Sequence, residues 1–194
     1  MAVEVSGDNE FVLPGTEISE RNCRIFACPL VPEPNPILSL EGTTMSTNTV
    51  RLHRVLRSKA DRVYRAFIDP DAMAKWLPPN GFTGKVHHMD ATVGGTYKMS
   101  FTNFSTGGSH SFGGKYLELV PGRRIRHTDR FDDPNLPGEM ITTISIEPVT
   151  VGVEVSITQE GIPAAIPTEA CYLGWQESLT LLAQLVEAEI PDGS

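Results

Sequence analysis

The stretch TEACYLGWQESLTLLAQLVEAEI, residues 168–190, decides the fold of this chain. Apolar residues recur in it at alternating steps of three and four, as they do on one face of an α-helix. These residues are Tyr172, Trp175, Leu179, Leu182 and Val186, with Leu185 and Ile190 widening the stripe. Thr168 is predicted to cap the helix, and Pro191 with Gly193 to end it. Such a helix spans roughly 30 Å and needs an equally large apolar surface to cover it.

The residues before this helix supply a surface of that kind. Segments of alternating polarity, separated by glycine, proline and aspartate turns, are typical of β-strands. We expect strands at 49–57, 82–90, 95–103, 110–119, 124–131, 139–147 and 151–159. Their short connections make consecutive strands antiparallel neighbours.

Two short helices are predicted between the first two strands. The first begins at Ser58, with Asp61 as its capping-box partner, and the second is capped by Asp69 and opens with Pro70. Val63, Tyr64 and Phe67 are expected to form the buried side of the first helix, and the apolar residues of the second are Met73, Trp76 and Leu77. The sequence therefore predicts an α+β fold, in which a curved seven-stranded antiparallel sheet surrounds a long C-terminal helix.

Charge and hydropathy narrow the range of partners. The 194-residue chain has a formal net charge of −8, which argues against a nucleic-acid partner. No apolar run approaches the ~20 residues of a membrane span. Three cysteines are too few for a disulfide framework, so we expect a reducing, cytoplasmic location.

Residues 1–45 differ from the rest of the chain. They hold five prolines, seven acidic residues and two basic residues, without sustained periodicity. We predict an irregular, proline-rich N-terminal extension before a domain at residues 46–194. Met45 opens the segment MSTNTVRLHRVL and is a candidate natural start. Cys23 and Cys28 in the extension are predicted to be free thiols, because no second ligand pair lies near them.

Five segments, in this order, resemble a known family. They are AFIDPDAMAKW (66–76), VGGTYKM (93–99), GGKYLELVPGRRIRHT (113–128), SITQEGIP (156–163) and GWQESLTLLAQLVE (174–187). The segments are similar to those of the activator of heat-shock protein 90 ATPase homologue-like family, within the START-like helix-grip (SRPBCC) superfamily. The resemblance implies a START-like domain with a cavity between sheet and helix.

Three functions follow from the resemblance as alternatives. The first is binding of a small hydrophobic or amphipathic molecule in the cavity. The second is contact with a chaperone, as the family name implies, and the third is a cyclase-like or hydrolase-like activity in the same cavity. No cofactor is expected, and the oligomeric state is open, with a homodimer as one alternative.

Strand alternation selects the residues that would line the cavity. The predicted ligand-binding residues are Trp76, Tyr97, Met99, Phe101, His127, Asp129, Phe131, Met140, Thr142, Trp175 and Leu179. Gly174 and Ser178, on the helix flank, would leave room for a ligand. Trp76 with Pro78-Pro79 is expected to form the edge of a lid or, alternatively, to plug the open end of the sheet.

His127 and Asp129 are the candidate acid–base pair. They lie two residues apart on one strand and therefore face the same side, where a carboxylate can orient an imidazole. The alternatives are hydrogen bonding to a ligand, or a location at the cavity mouth or on the surface. His88 and Asp90 share one side of another strand but lack a third ligand, so no metal site is predicted.

Overall fold

A seven-stranded antiparallel sheet underlies the computed structural model, which describes residues 48–190. The elements in chain order are β1 (Thr49–Leu56), α1 (Ala60–Ile68), α2 (Pro70–Trp76), β2 (Phe82–Met89), β3 (Thr96–Asn103), β4 (Ser109–Val120), β5 (Arg124–Phe131), β6 (Met140–Val149), β7 (Gly152–Glu160) and α3 (Thr168–Val186). The strands are ordered β1-β7-β6-β5-β4-β3-β2. Because β1 and β2 lie at opposite edges, α1 and α2 carry the chain across the sheet.

The predicted fold class is confirmed, and every strand boundary lies within two residues of its predicted position. The turn residues account for this agreement, since they end each strand locally. The predictions for residues 1–45, including Met45, Cys23 and Cys28, lie outside the described residues. None of the helices within 48–190 combines the length and apolar character that crossing a membrane requires.

The core lies between the sheet and α3. Leu179, Leu182 and Val186 on α3 are at most 2% exposed. They join one buried cluster with Ile144 and Ile157 of the central strands β6 and β7. Apolar burial of this kind is the dominant favourable term in folding, so this contact holds the helix on the sheet.

The stripe of α3 is narrower at both ends than its sequence predicts. Tyr172 is 39% exposed and Ile190 is 83% exposed. Tyr172 shares a surface depression with Leu52 and Arg54 of β1, which is an edge strand. Ile190 lies beyond the helix, which ends at Val186 rather than at residue 190.

The turn before α1 and the first turn of α1 contact the chain at this end of α3. The Ser58 hydroxyl donates to the carbonyl of Val186 at 2.9 Å, and the Arg62 guanidinium donates to the carbonyl of Ala188 at 2.6 Å. The Ser58 hydroxyl thereby satisfies one of the carbonyls that a helix end leaves unpaired. Ser58 is therefore not the cap of α1, which begins at Ala60 without a side-chain cap.

The predicted cap of α2 is confirmed, and the predicted cap of α3 is wrong. Asp69 does cap α2, because its carboxylate accepts hydrogen bonds from the backbone N–H groups of Asp71 and Ala72, both at 3.0 Å. Pro70 occupies the first helical position as predicted. Thr168 is not the cap of α3 but its first residue, because Pro167 occupies the cap position.

Truncation of Leu182 tests the contact between α3 and the sheet. We expect Leu182→Ala to lower the free energy of unfolding by ~2–5 kcal/mol, because the vacated space cannot be refilled. Leu173→Ala is the matched control on the same helix, since Leu173 is 59% exposed. It should change stability by no more than ~0.5 kcal/mol. Chemical denaturation measures both, and equal losses would contradict this account of the core.

Candidate ligand-binding cavity

A cavity of about 250 Å³ lies between the sheet and the N-terminal half of α3. Cys171, Gly174, Trp175 and Ser178 of α3 border it on the helix side. The Ser178 hydroxyl donates to the carbonyl of Leu77 at 2.7 Å, which ties this part of α3 to the end of α2. The helix therefore closes the core with its C-terminal half and bounds the cavity with its N-terminal half.

Most of the residues predicted for the cavity do border it. They are Trp76, Tyr97, Phe101, His127, Asp129, Phe131, Met140 and Trp175. Met99 and Leu179 do not border it, because they pack fully within the core. Thr142 also lies away from the cavity surface, with its hydroxyl donating to the Asp129 carboxylate at 2.8 Å. Their role in ligand binding remains a prediction.

One end of the cavity is an aromatic cluster. Its members are Phe82, Phe101, His110, Phe112 and Phe131, with neighbouring ring centroids 5.0–6.4 Å apart. Most of these contacts are edge-to-face, the arrangement that the quadrupoles of aromatic rings favour. Burial lowers the pKa of His110, which favours its neutral form. Phe82, His110 and Phe112 were not predicted from the sequence as cavity residues. His110 and Phe112 are two positions apart on β4 and therefore face the same side of the sheet.

The other end holds a buried polar network centred on Asp129. Tyr97 donates its hydroxyl proton to Oδ1 of Asp129, and Thr142 donates to Oδ2. Nδ1 of His127 lies 3.2 Å from Oδ2 of Asp129 and 3.3 Å from the carbonyl of Thr128. Both carboxylate oxygens therefore have partners, as buried polar groups require.

The partners of His127 decide its tautomer. Nδ1 faces a carboxylate oxygen, a carbonyl oxygen and, at 3.1 Å, the hydroxyl oxygen of Tyr97. Because Tyr97 donates its one proton to Asp129, all three oxygens act as acceptors toward Nδ1. We therefore assign the proton to Nδ1, which leaves Nε2 as an acceptor. Nε2 makes no hydrogen bond to another described residue, and the imidazole borders the cavity.

Burial sets the charge of the pair. Desolvation lowers the pKa of His127 to about 4, so the imidazole is neutral near pH 7. Desolvation raises the pKa of Asp129 to about 7, an effect that the Thr142 hydrogen bond opposes. The pair therefore retains a proton through the mildly acidic range and has a low net charge there.

Gly114 allows the polar network to form. A Cβ atom at Gly114 would lie 1.6 Å from the carbonyl oxygen of Thr128, so no side chain fits between these backbones. The Tyr97 hydroxyl, which comes from β3, reaches Asp129 and the Thr128 carbonyl on β5 across this position. A glycine inside a strand pattern is the sequence signal that marks such a close approach.

A second polar group ties α3 to β7. Oε1 of Gln159 accepts from the Trp175 indole N–H at 2.9 Å and from the Cys171 thiol at 3.0 Å. Burial raises the pKa of Cys171 to about 11, so the thiol stays protonated and unreactive near neutral pH. Gln159 was not predicted, yet it continues the inward series of Val153, Val155 and Ile157 on β7.

Tyr116 also borders the cavity, beside His127, with ring centroids 6.1 Å apart. Its hydroxyl is the one buried side-chain polar atom in the described chain without a hydrogen-bond partner. Burial raises its pKa to about 12, and Tyr64 adds to this effect.

Trp76 forms a fixed wall of the cavity. It is fully buried, its indole N–H donates to the carbonyl of Ala66 at 2.8 Å, and its ring meets Phe67 edge-to-face at 4.8 Å. Trp76 is thus part of the packed core, and its role as a lid edge or as a plug at the open end of the sheet remains a prediction.

Around His87 the strand β2 departs from simple alternation. The pairing with β3 shifts between Val86 and His88, so His87 and His88 are both exposed rather than on opposite faces. Nε2 of His87 pairs with the Ser100 hydroxyl at 2.9 Å. Within residues 48–190 no group of three or more potential metal ligands comes together.

Comparison with known proteins agrees with this geometry. Residues 57–187 match the family described as Activator of Hsp90 ATPase homolog 1-like protein. A protein from Chromobacterium violaceum, solved by crystallography, is 65% identical with a TM-score of 0.73, over 73% of this chain and 99% of that one. No match was found among curated proteins.

More distant solved structures share the fold. A protein from Rhodobacter sphaeroides is 19% identical with a TM-score of 0.62, over 71% of this chain and 91% of its own. A protein from Nitrosomonas europaea is 21% identical with a TM-score of 0.61, over 71% of this chain and 93% of its own.

Sheet, clasped helix and cavity together define a helix-grip protein of the START-like class. Within that class, the chain belongs to the activator of Hsp90 ATPase homolog 1-like family. The resemblance found in the five sequence segments is thereby confirmed.

Replacement of Asp129 by asparagine tests the buried carboxyl. Between its ordinary value of 3.8 and about 7, the folded state keeps a proton that the unfolded chain has lost. Because the folded state binds one more proton than the unfolded state, the wild-type unfolding free energy falls as pH rises through that range. The amide of asparagine does not titrate, so the variant lacks this dependence. We therefore expect Asp129→Asn to gain stability relative to wild type from about pH 4 to pH 7, with a constant difference above.

Denaturant unfolding of both proteins between about pH 4 and pH 9 measures this difference. His127 is present in both, so its own titration largely cancels when the two profiles are subtracted. Parallel profiles would show that Asp129 ionises normally in the folded protein.

Proposed function

We propose that this protein binds a small hydrophobic or amphipathic molecule in the cavity beneath α3. The observation that carries the proposal is a cavity of about 250 Å³ with aromatic rings at one end and the His127–Asp129 network at the other. Small-molecule sites have this composition, mostly apolar with a few placed polar groups. Protein interiors are otherwise close-packed, so a void of this size needs an explanation.

The energetic basis is burial of apolar ligand surface. Each Å² of apolar surface removed from water contributes roughly 25 cal/mol. Trp76 and Trp175 are held by hydrogen bonds to Ala66 and Gln159, so these walls of the cavity are fixed before a ligand arrives. Such preorganisation lowers the entropy cost of binding.

Gly174 offers a direct way to fill the cavity. It borders the cavity, and a Cβ built at this position meets no atom within 4 Å. We expect Gly174→Leu to fold at least as well as wild type, because leucine favours a helix over glycine by about 0.8 kcal/mol or more. Its side chain would occupy the ligand's space and weaken binding by about tenfold or more, or ~1.4 kcal/mol.

Fluorescence titration with the neutral probe N-phenyl-1-naphthylamine measures this effect. Gln184→Leu is the matched control, because it adds the same side chain to an exposed position of the same helix. The control should bind like wild type. Equal binding by Gly174→Leu, or absence of probe binding to wild type, would contradict the proposal.

Contact with a chaperone is the second candidate function. Its support is the family match over residues 57–187. Stimulation of the ATPase activity of a heat-shock protein 90 by this protein would establish it, and absence of stimulation at high excess would remove it. The cytoplasmic location that such a partner requires rests on cysteine usage in the sequence.

An enzymatic role ranks below ligand binding on chemical grounds. The low pKa of His127 makes it a weak base near neutral pH. Both oxygens of Asp129 are occupied by Tyr97 and Thr142. A catalytic carboxylate or base needs a free site toward the substrate, and only Nε2 of His127 offers one.

A further inference from the structure

The charge of the cavity wall narrows the class of ligand. Among the described lining residues there is no lysine or arginine, and Asp129 is the one carboxyl. An anionic ligand would lose its hydration on entry without gaining a cationic partner, which costs free energy. Fatty acids, phosphates and other anions are therefore disfavoured in this cavity.

The hydrogen-bonding capacity of the wall narrows the class further. Nδ1 of His127 is engaged by Asp129 and the Thr128 carbonyl, so Nε2 is left as an acceptor beside the cavity. The oxygens of Asp129 already have donors of their own. A ligand that pairs with Nε2 therefore has to supply a donor. The oxygen of a hydroxyl donor can also accept from the Tyr116 hydroxyl beside His127, which has no partner among the described residues.

Distances along the strands set the shape of the ligand. Phe112 and Tyr116 lie four positions apart on β4, and His127 and Phe131 lie four positions apart on β5. At about 3.3 Å per residue, the polar and aromatic ends are roughly 13 Å apart along the strands. A rigid molecule of about two fused rings extends from the polar end into the aromatic cluster.

We infer that the ligand is a neutral aromatic alcohol, whose O–H group donates to Nε2 of His127 while its rings lie among Phe101, Phe112 and Phe131. The inference rests on the proposed function, since it names the chemistry of the molecule bound in that cavity. His127 selects the ligand through one hydrogen bond, and burial of the rings provides most of the affinity.

Three matched naphthalenes test this inference on wild-type protein. In competition with N-phenyl-1-naphthylamine, 2-naphthol should bind about tenfold more tightly than 2-methoxynaphthalene, which has the same rings but no donor. The anion 2-naphthoate should bind more weakly than 2-naphthol by about tenfold or more. Equal affinities for naphthol and ether, or tightest binding of the naphthoate, would overturn the inference.

Variants and spectroscopy locate the effect at His127. His127→Leu should abolish the preference for naphthol over ether, whereas the control His88→Leu, at an exposed histidine, should keep it. In ¹⁵N-labelled wild type, naphthol but not the ether should shift the His127 Nε2 resonance and leave the proton on Nδ1. An unshifted resonance on naphthol binding would overturn the inference even if His127→Leu fails to fold.

Different results would contradict ligand binding in the cavity and the requirement for a hydrogen-bond donor on the ligand. If the probe binds wild type and is excluded by Gly174→Leu, but naphthol and ether compete equally, the cavity binds ligands and only the donor requirement is wrong. If none of the three naphthalenes competes and Gly174→Leu binds the probe as wild type does, both the proposed function and the inference are wrong.

Discussion

The burial of α3 against the sheet is the contact on which the rest of the structure depends. Leu179, Leu182 and Val186 fix the C-terminal half of the helix in the core. The N-terminal half of the same helix carries Gly174 and Trp175 along the cavity, which aromatic side chains of the sheet line on the other side. Core and cavity are thus two halves of a single helix–sheet contact, and the cavity persists because the packed half holds the helix in place.

A second constraint is the burial of ionisable groups in an apolar site. The buried Asp129 and His127 are tolerated because they have hydrogen-bond partners in Tyr97, Thr142 and the Thr128 carbonyl. Desolvation also lowers the pKa of His127 and raises that of Asp129, and both changes favour the neutral form. This arrangement gives one end of the cavity a defined hydrogen-bonding pattern without a full charge. Polar networks that are fully satisfied specify geometry, whereas an unpaired buried charge would destabilise the fold.

Sequence patterns predict the helices and strands of this fold well. They predict poorly whether an inward-facing side chain borders the cavity or is packed within the core. Strand alternation correctly places Met99 on an inward face, and the helical stripe does the same for Leu179. Neither pattern distinguishes a residue that borders a void from one packed beneath it. That distinction depends on the opposing side chains, which are distant in sequence. The same limit explains Ser58, whose partner on α3 lies 128 residues away. Gly114 and Gln159 did carry local signals, a glycine within a strand and a polar residue in an apolar series.

The contacts that the start of α1 and the turn before it make with the end of α3 have a consequence for biosynthesis. Ser58 and Arg62 are among the first described residues to be translated, and their partners Val186 and Ala188 are among the last. The edge strand β1 likewise waits for β7. Contacts of such long range slow folding, because loop closure precedes their stabilising effect. The domain therefore reaches its native state only after residues up to Ala188 have left the ribosome, and β1 lacks its strand partner until β7 has emerged.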